Sequence, residues 1–281
     1  MLMMTKCVTS LYARAGFVAA LVLLLASPAA AQFRPRPLND SATAEKYHIE
    51  GAVNLWYPTA DIFISSESLG IVGTKIDAKQ DLGLKDQRFP DLRLVLKPAT
   101  KHKFRLQYIP ILYVQTAAPS RAIVFNGQRY PVSISVDSTL DWKAYRLGYE
   151  YDFVTNNRGF GGFIVEAKYT DVRIALKSTT LNLNEFARAR APIPAIGGIA
   201  RVYVVPNISL TGEITGFKFP ENLIKGDSAH YFDFDVYGTL NFTNYIGLQV
   251  GYRNLDVGYV IKADAGTFTL KGPYFGVVAR Y

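Results

Sequence analysis

Apolar and polar residues alternate with a period of two along most of this chain. Over His230–Thr243, Phe232, Phe234, Val236, Gly238, Leu240 and Phe242 share one face, and Tyr231, Asp233, Asp235, Tyr237, Thr239 and Asn241 the other. Over Lys103–Gln115, Phe104, Leu106, Tyr108, Leu112 and Val114 oppose Lys103, Arg105, Gln107, Tyr113 and Gln115. Tyr145, Leu147, Tyr149, Tyr151 and Phe153 likewise oppose Arg146, Glu150 and Asp152, and Phe163, Val165, Ala167 and Tyr169 oppose Glu166, Lys168 and Thr170. Successive residues of a strand point to opposite sides, so the pattern predicts strands with one apolar and one polar face.

Strands are predicted near 46–66, 88–97, 102–116, 129–153, 160–177, 195–206, 209–218, 229–243, 245–258 and 267–281. That is about ten; 61–87 is read either as one long outer loop or as an extra hairpin that raises the count to twelve, and eight would follow if two long strands are each split in this reading. Asn126-Gly127 predicts a type I′ hairpin turn. Short turns fall near 98–101, 155–158, 206–208 and 243–245, and long polar loops near 117–128, 178–194, 219–229 and 259–266. Alternation of short and long connections is the habit of membrane barrels, whose turns are short on one side and long on the other. Aromatic residues beside the short turns (Tyr149, Tyr151, Phe153, Phe242, Tyr245) fit an interfacial girdle. The predicted fold is therefore all-β: a closed antiparallel up-and-down transmembrane β-barrel spanning 46–281, with its apolar face turned to lipid.

The N-terminal residues read as an address. Lys6 and Arg14 precede the uncharged apolar run Ala15–Ala26, and Ser27, Pro28 and Ala29–Ala31 follow. This is the layout of a cleaved secretory signal, expected to cover 1–31 with the cut after Ala31, leaving 32–45 as a flexible periplasmic segment. Cleavage removes Cys7, the only cysteine, so neither a disulfide framework nor thiol chemistry is expected. The formal balance of 31 basic and 23 acidic residues loses Lys6 and Arg14, which leaves 29 against 23, or +6. The bases are spread along strands of an exported chain, which argues against a nucleic-acid partner.

The last strand alternates Pro273, Phe275, Val277, Ala279 and Tyr281 with Tyr274, Gly276, Val278 and Arg280. This resembles the C-terminal β-signal of Gram-negative outer-membrane proteins, and the resemblance implies outer-membrane residence and contact with the barrel assembly machinery through Phe275, Val277 and Tyr281. Gly251-Tyr252-Arg253 with 272–281, Asp81-Leu82-Gly83-Leu84 and Tyr149-Glu150-Tyr151 resemble pieces of small, uncharacterised outer-membrane proteins.

In such a barrel the polar face converges on the lumen. The expected lumen-lining residues are Glu50, Asn54, Arg93, Lys103, Arg105, Gln107, Arg146, Glu150, Glu166, Lys168, Arg201, Glu213, Asp233, Asp235 and Arg253, with His48 in the same set on the first strand. Mixed charges in a narrow lumen imply either a salt-bridged plug or a wet pore. Lys177, Arg188, Arg190 and Lys225 lie in or beside expected outer loops and are candidate contacts for lipopolysaccharide phosphates.

Catalytic signals are sparse. No GxSxG elbow, no HExxH and no metal-ligand spacing occur, so neither a metal nor a cofactor is expected. Of the three histidines, His102 falls in a short turn, and only Ser228/His230 pairs a hydroxyl with a base near an outer loop, with Asp233 and Asp235 read onto the face of His230. The expected function is a non-enzymatic outer-membrane barrel with a structural or small-solute channel or binding role. The alternatives are an outer-membrane hydrolase resembling lipid A deacylases, phospholipases or omptins, and a soluble periplasmic ligand-binding barrel.

Overall fold

The computed structural model describes residues 42–67, 71–219, 228–261 and 264–281. Among the described residues fourteen strands occur in chain order: β1 Ile49–Trp56, β2 Thr59–Ser65, β3 Ile76–Asp77, β4 Phe89–Ala99, β5 His102–Ala117, β6 Ile123–Phe125, β7 Gln128–Tyr130, β8 Val136–Asn156, β9 Gly159–Ser178, β10 Leu183–Val205, β11 Ile208–Phe219, β12 Ser228–Asn241, β13 Ile246–Ile261 and β14 Asp264–Arg280. β6 and β7 form a separate hairpin, and β3 pairs only with β2. The rest make a closed ten-strand antiparallel barrel, in which β14 pairs both with β13 and with the first strand.

The first barrel strand is bent. β1 and β2 both run along β14, with Trp56 opposite Tyr274 and Thr59 opposite Lys271, and the break falls at Tyr57–Pro58. Pro58 has no N–H to give to a ladder, so the strand kinks there. Gly272 makes room for the kink, since a Cβ on it would lie 2.1 Å from the Tyr57 carbonyl oxygen.

The segment 61–87 adds no barrel hairpin, because its β3 lies inside the wall against β2. Arg129 and Tyr130, expected at the head of a long strand, belong instead to β7 of the hairpin turned by Asn126 (φ 48°) and Gly127 (φ 78°), as their sequence requires. The expected loop at 178–194 is also corrected. Only 179–182 turn, and Leu183–Ala195 continue as strand against β9. Strand also extends through much of 259–266, where β13 reaches Ile261 and β14 begins at Asp264.

Polarity has the inverted sense. Leu106, Leu147, Phe232 and Phe234 are 41%, 57%, 39% and 39% exposed, whereas Lys103 and Glu150 are 1% and 0% exposed. A soluble barrel would hide the first group and wet the second, so the soluble alternative is set aside. The outward apolar stretch is about nine residues on β8 (145–153) and β14 (273–281), the length of one crossing. On five strands it gives way to polar residues, Tyr145 to Lys143, Tyr169 to Asp171, Tyr252 to Asn254, Phe232 to His230 and Pro273 to Lys271, whereas on β5 Leu112 and Val114 stay apolar and exposed beyond Tyr108.

Above that line the strands continue as a collar with ordinary polarity. On the inner face Arg146 is followed by Ala144, Trp142 and Leu140, Lys168 by Thr170, Val172 and Ile174, Arg253 by Leu255 and Val257, and Gln107 by Ile109 and Ile111. The collar core is capped by β3 and the β6–β7 hairpin, whose Ile76, Ile123 and Tyr130 have no exposed surface. Arg121 clamps the two caps together by donating 2.9 Å hydrogen bonds to both Asp81 oxygens.

Candidate functional site

Two inner regions follow from this architecture, a charged stem within the membrane band and an apolar chamber above it. In the stem, the expected lumen residues other than His48 point inward. Lys103 contacts Glu150 (2.7 Å) and Asp152 (2.8 Å), while Arg105 joins Glu150 to Glu213. Arg146 joins Glu213 to Glu166, and Lys168 joins Glu166 to Asp233 at 2.9 Å each. Arg253 grips Asp233 at 2.6 and 2.9 Å. Arg93 spans Asp91 and Asp235, Gln107 donates to Asp91, and the Tyr274 hydroxyl donates to Asp235 at 2.8 Å. Asn54 is buried without a hydrogen-bond partner among the described residues.

At the end of the stem away from the collar, Arg201 meets Glu45 (3.0 Å) and Glu50 (3.8 Å), and Arg280 donates to Glu50 at 2.5 Å. Asp91, Arg280 and Glu45 were not among the residues expected from the sequence. Asp91 and Arg280 carry the inward parity of their strands and were legible by alternation alone. Glu45 precedes the first strand and gave no such signal. Residues 42–45, expected to be flexible, are strapped across the barrel mouth: Ala42 donates to the Asn157 carbonyl (3.1 Å), Thr43 to that of Pro206 (2.6 Å) and Ala44 to Asn244 Oδ1 (3.1 Å). The rest of the expected lead-in and signal, 1–41, lies outside the described residues.

The side chains leave a stem cavity of about 30 Å³ lined by Arg93, Arg105, Arg146, Arg201 and Gln249 among others, room for about two waters. Desolvated charges of this kind stand only when paired, and here almost all are.

The chamber is of another kind. It holds about 330 Å³ and is lined mostly by apolar residues, Trp142, Val172, Ile174, Ala187, Ala189, Ala191, Ile193, Phe217, Val257 and Phe268, with Thr170, Arg188, Arg190, His230, Tyr259 and Asp264 as its polar and charged lining. Trp142 meets Phe268 edge-on at 5.7 Å, and Tyr259 stacks on Phe268 at 6.3 Å. Burial, and then the nearby Asp264 carboxylate, push the Tyr259 hydroxyl up to about 12, so it is neutral at physiological pH. The small side chains of Ala187, Ala189 and Ala191 create the space, since larger residues at those inward positions would fill it.

The expected outer cations are placed unevenly. Arg188 donates to both oxygens of Asp171 at 2.6 and 2.8 Å, and Arg190 lies 3.3 Å from the same carboxylate. They are strand residues on the outside of the collar, just above the Tyr145–Tyr169 aromatic pair. Lys177 stands near the top of β9, and Lys225 lies outside the described residues.

His48 is exposed just before β1, with its ring 3.3 Å from the Lys97 carbonyl, and not in the lumen. His230 points outward with Phe232, so Asp233 and Asp235 are on the opposite face: even and odd positions of one strand cannot share a side. Its ring lies 3.5 Å from Asp256 of β13, and no hydrogen bond joins it to Ser228. Phe275, Val277 and Tyr281 point outward into the apolar belt and are 54%, 50% and 83% exposed.

No known protein family profile matches this chain, and no curated protein matches it. Solved structures do. The outer membrane protease OmpT from Escherichia coli aligns with a TM-score of 0.56 at 8% identity, over 87% of this chain and 100% of that one. Ail, the attachment invasion locus protein of Yersinia pestis, aligns at 0.37 and 8% identity over 83% and 99%, and a Pseudomonas aeruginosa FadL homologue at 0.37 and 9% over 89% and 95%. The fold is that of outer-membrane β-barrels.

Proposed function

We propose that this protein resides in a Gram-negative-type outer membrane, that its membrane-level stem is closed, and that it binds a small apolar solute in the chamber above. The observation that carries the reading is the exchange of inner faces along the strands, which places a mostly apolar chamber of about 330 Å³ over a stem filled with paired charge. That volume is at the lower end of the range for ligand pockets and about twice that of a cavity known to take benzene. A mostly apolar lining selects by shape and by the solute's release from water. A hydrolytic role has less support, because Ser228 and His230 are not hydrogen bonded and His230 turns to Asp256. Outer-leaflet lipopolysaccharide contacts at Arg188, Arg190 and Lys177, and insertion by the assembly machinery through Phe275, Val277 and Tyr281, complete the proposal.

The test is titration of the detergent-refolded barrel with the apolar dye N-phenyl-1-naphthylamine. A saturable fluorescence gain, lost in Ala189→Trp, is expected. Uptake that never saturates and is unchanged in Ala189→Trp overturns the binding site. A steady planar-bilayer conductance overturns the closed stem.

A further inference from the structure

We infer that the outer wall from β4 to β10 seats one anionic lipid of the outer leaflet. Its acyl chains lie in a groove at membrane level, and its phosphate monoester meets Lys143, Arg173, Arg188 and Arg190. The inference rests on the outer-membrane placement and the rim contacts proposed above, and it adds the seat and the class of lipid.

Strand register stacks three kinds of surface on this wall. Leu106, Leu147 and Ala167 stand side by side on β5, β8 and β9, and Tyr108, Tyr145 and Tyr169 form the next row up. With Leu92 and Leu94 of β4 they line an open groove of about 490 Å³. Arg93, Gln107 and Arg146 also border the groove, but their side chains are held in the stem network. Ala167 is exposed and far smaller than Leu147 beside it and Tyr169 above it, which leaves room along β9. Tyr108 and Tyr145 stack at 4.7 Å, and Tyr169 lies 6.4 Å from Tyr145. Tyrosine rings with an apolar body and a polar tip settle at headgroup level, so this row marks where lipid chains end.

The next two rows are ionic. Lys143, Asp171 and Arg190 align above the tyrosines, and Asp141, Arg173 and Arg188 align above those. Each row stands roughly 7 Å from the one below, the rise of two strand residues. Among the described residues the patch holds four cations against two carboxylates, a net +2. Arg188 and Arg190 share Asp171, and Lys143 lies 3.9 Å from Asp141. Arg173 lies over the Phe186 ring at 5.0 Å and makes no salt bridge among the described residues. A phosphate monoester carries a charge of about −2 at neutral pH, which matches the surplus, and guanidinium forks fit its oxygens. The upward order of apolar groove, aromatic row and cation rows repeats the order of acyl chain, headgroup linkage and phosphate in such a lipid. A second barrel meeting this wall through the same patch would set like charges against each other.

The test places a bimane label on Val165→Cys, one row below Ala167, in a Cys7→Ser background in phosphatidylcholine vesicles. Val250→Cys, outward on β13 and four strands away, is the control. Nitroxide-tailed phosphatidic acid is expected to quench the Val165 label several-fold more than nitroxide-tailed phosphatidylcholine at the same mole fraction, with no such preference at Val250. Ala167→Trp, or the smaller fill Ala167→Phe, is expected to abolish the preference, and so is Lys143→Ala with Arg173→Ala. The Val250 label reports in each variant that the barrel is inserted. An equal preference at both labels is general attraction to a basic barrel and overturns the seat. Shielding of the Val165 label from both lipids, the mark of a second barrel on this wall, overturns it too. A preference lost in Arg188→Ala with Arg190→Ala but kept in both Ala167 fills leaves the rim contacts standing and removes the groove. A preference untouched by every cation replacement removes the rim contacts as well.

Discussion

Lys143 and Arg146, three residues apart on β8, carry their charges to opposite sides of the barrel wall: the Lys143 side chain is 48% exposed and that of Arg146 is 9% exposed. Between them the strand exchanges its faces. Below, Leu147 and Tyr149 touch lipid and Arg146 and Glu150 fill the lumen; above, Lys143 and Asp141 meet water and Trp142 and Leu140 form a core. A strand has no parity change at this point, since alternation is unbroken. What changes is the solvent outside, from hydrocarbon to water, and each face follows it.

The exchange predicts opposite mutational responses within one strand. Leu147→Arg puts a cation against acyl chains and should cost about 2–4 kcal/mol. Lys143→Leu, on the same face but above the line, should change stability by no more than about 0.5 kcal/mol. Trp142→Ala empties a buried site against Phe268 and should cost about 3–5 kcal/mol. Urea midpoints of the barrel folded in vesicles measure all three, and equal costs for Leu147→Arg and Lys143→Leu would contradict the boundary.

Glu213 is the shared anion of Arg105 and Arg146. Glu213→Gln leaves two buried guanidinium groups facing one another with a neutral amide between them. Breaking a buried ionic group by removing one partner typically costs about 3–5 kcal/mol. Glu213→Leu with Arg105→Leu and Arg146→Leu removes acid and bases together and should recover most of that loss. The check is whether the triple variant melts above Glu213→Gln; a lower melting point would show that the charges stabilise the stem beyond satisfying one another.

Much of this was legible in the sequence. Strict alternation located the membrane strands, their inward residues and the closed antiparallel barrel, because lipid on one side and a crowded lumen on the other allow no slippage of parity. The upper half of β10 was missed for physical reasons. In Phe186–Pro194 the inward positions are Ala187, Ala189, Ala191 and Ile193, too small to stand out as an apolar face, and the outward ones are Arg188, Arg190, Pro192 and Pro194. That reads as a polar loop when an outward apolar face is expected. Tyr113 was placed on a polar face for the same reason, since one polarity was extended through both halves of β5, although the residue is 1% exposed in the collar core. The pairing of His230 with Asp256 depends on the β12–β13 register, in which His230 stands opposite Gly258, and no single strand encodes that.

The N-terminal strap should be held by Glu45, which accepts hydrogen bonds from Arg201 (3.0 Å) and from the Tyr203 hydroxyl (2.7 Å). Glu45→Ala removes both anchors. Amide hydrogen exchange of Ala42, Thr43 and Ala44 should then accelerate at least tenfold, while exchange in β10 and β11 stays within a factor of about two, because local opening is separable from global unfolding. Unchanged exchange at Thr43 would show that the turn carbonyls hold the strap without the carboxylate.

Asp171 decides how much positive charge the outer rim presents. Hydrogen bonds from Arg188, and then the charges of Arg188 and Arg190, hold its carboxyl at about 2, below the ordinary value of about 3.9. A carboxyl depressed in the folded state stabilises that state fully above its ordinary value, and the contribution is lost as pH falls through the folded value. The pairing should therefore be intact at neutral pH and fade between about pH 4 and pH 2. At neutral pH, Asp171→Asn reproduces the released state without acid. Arg188 and Arg190 are then free to meet phosphate as donors in fork geometry. Binding of Asp171→Asn barrels in detergent to lipid A-bearing vesicles should rise several-fold over the native chain at low salt and lose that gain at 0.5 M salt, where screening shortens the reach of exposed charge. Arg188→Ala with Arg190→Ala in the same background should abolish it. A gain that survives the double arginine replacement would place the lipid A contact elsewhere on the collar and remove these two residues from the rim site.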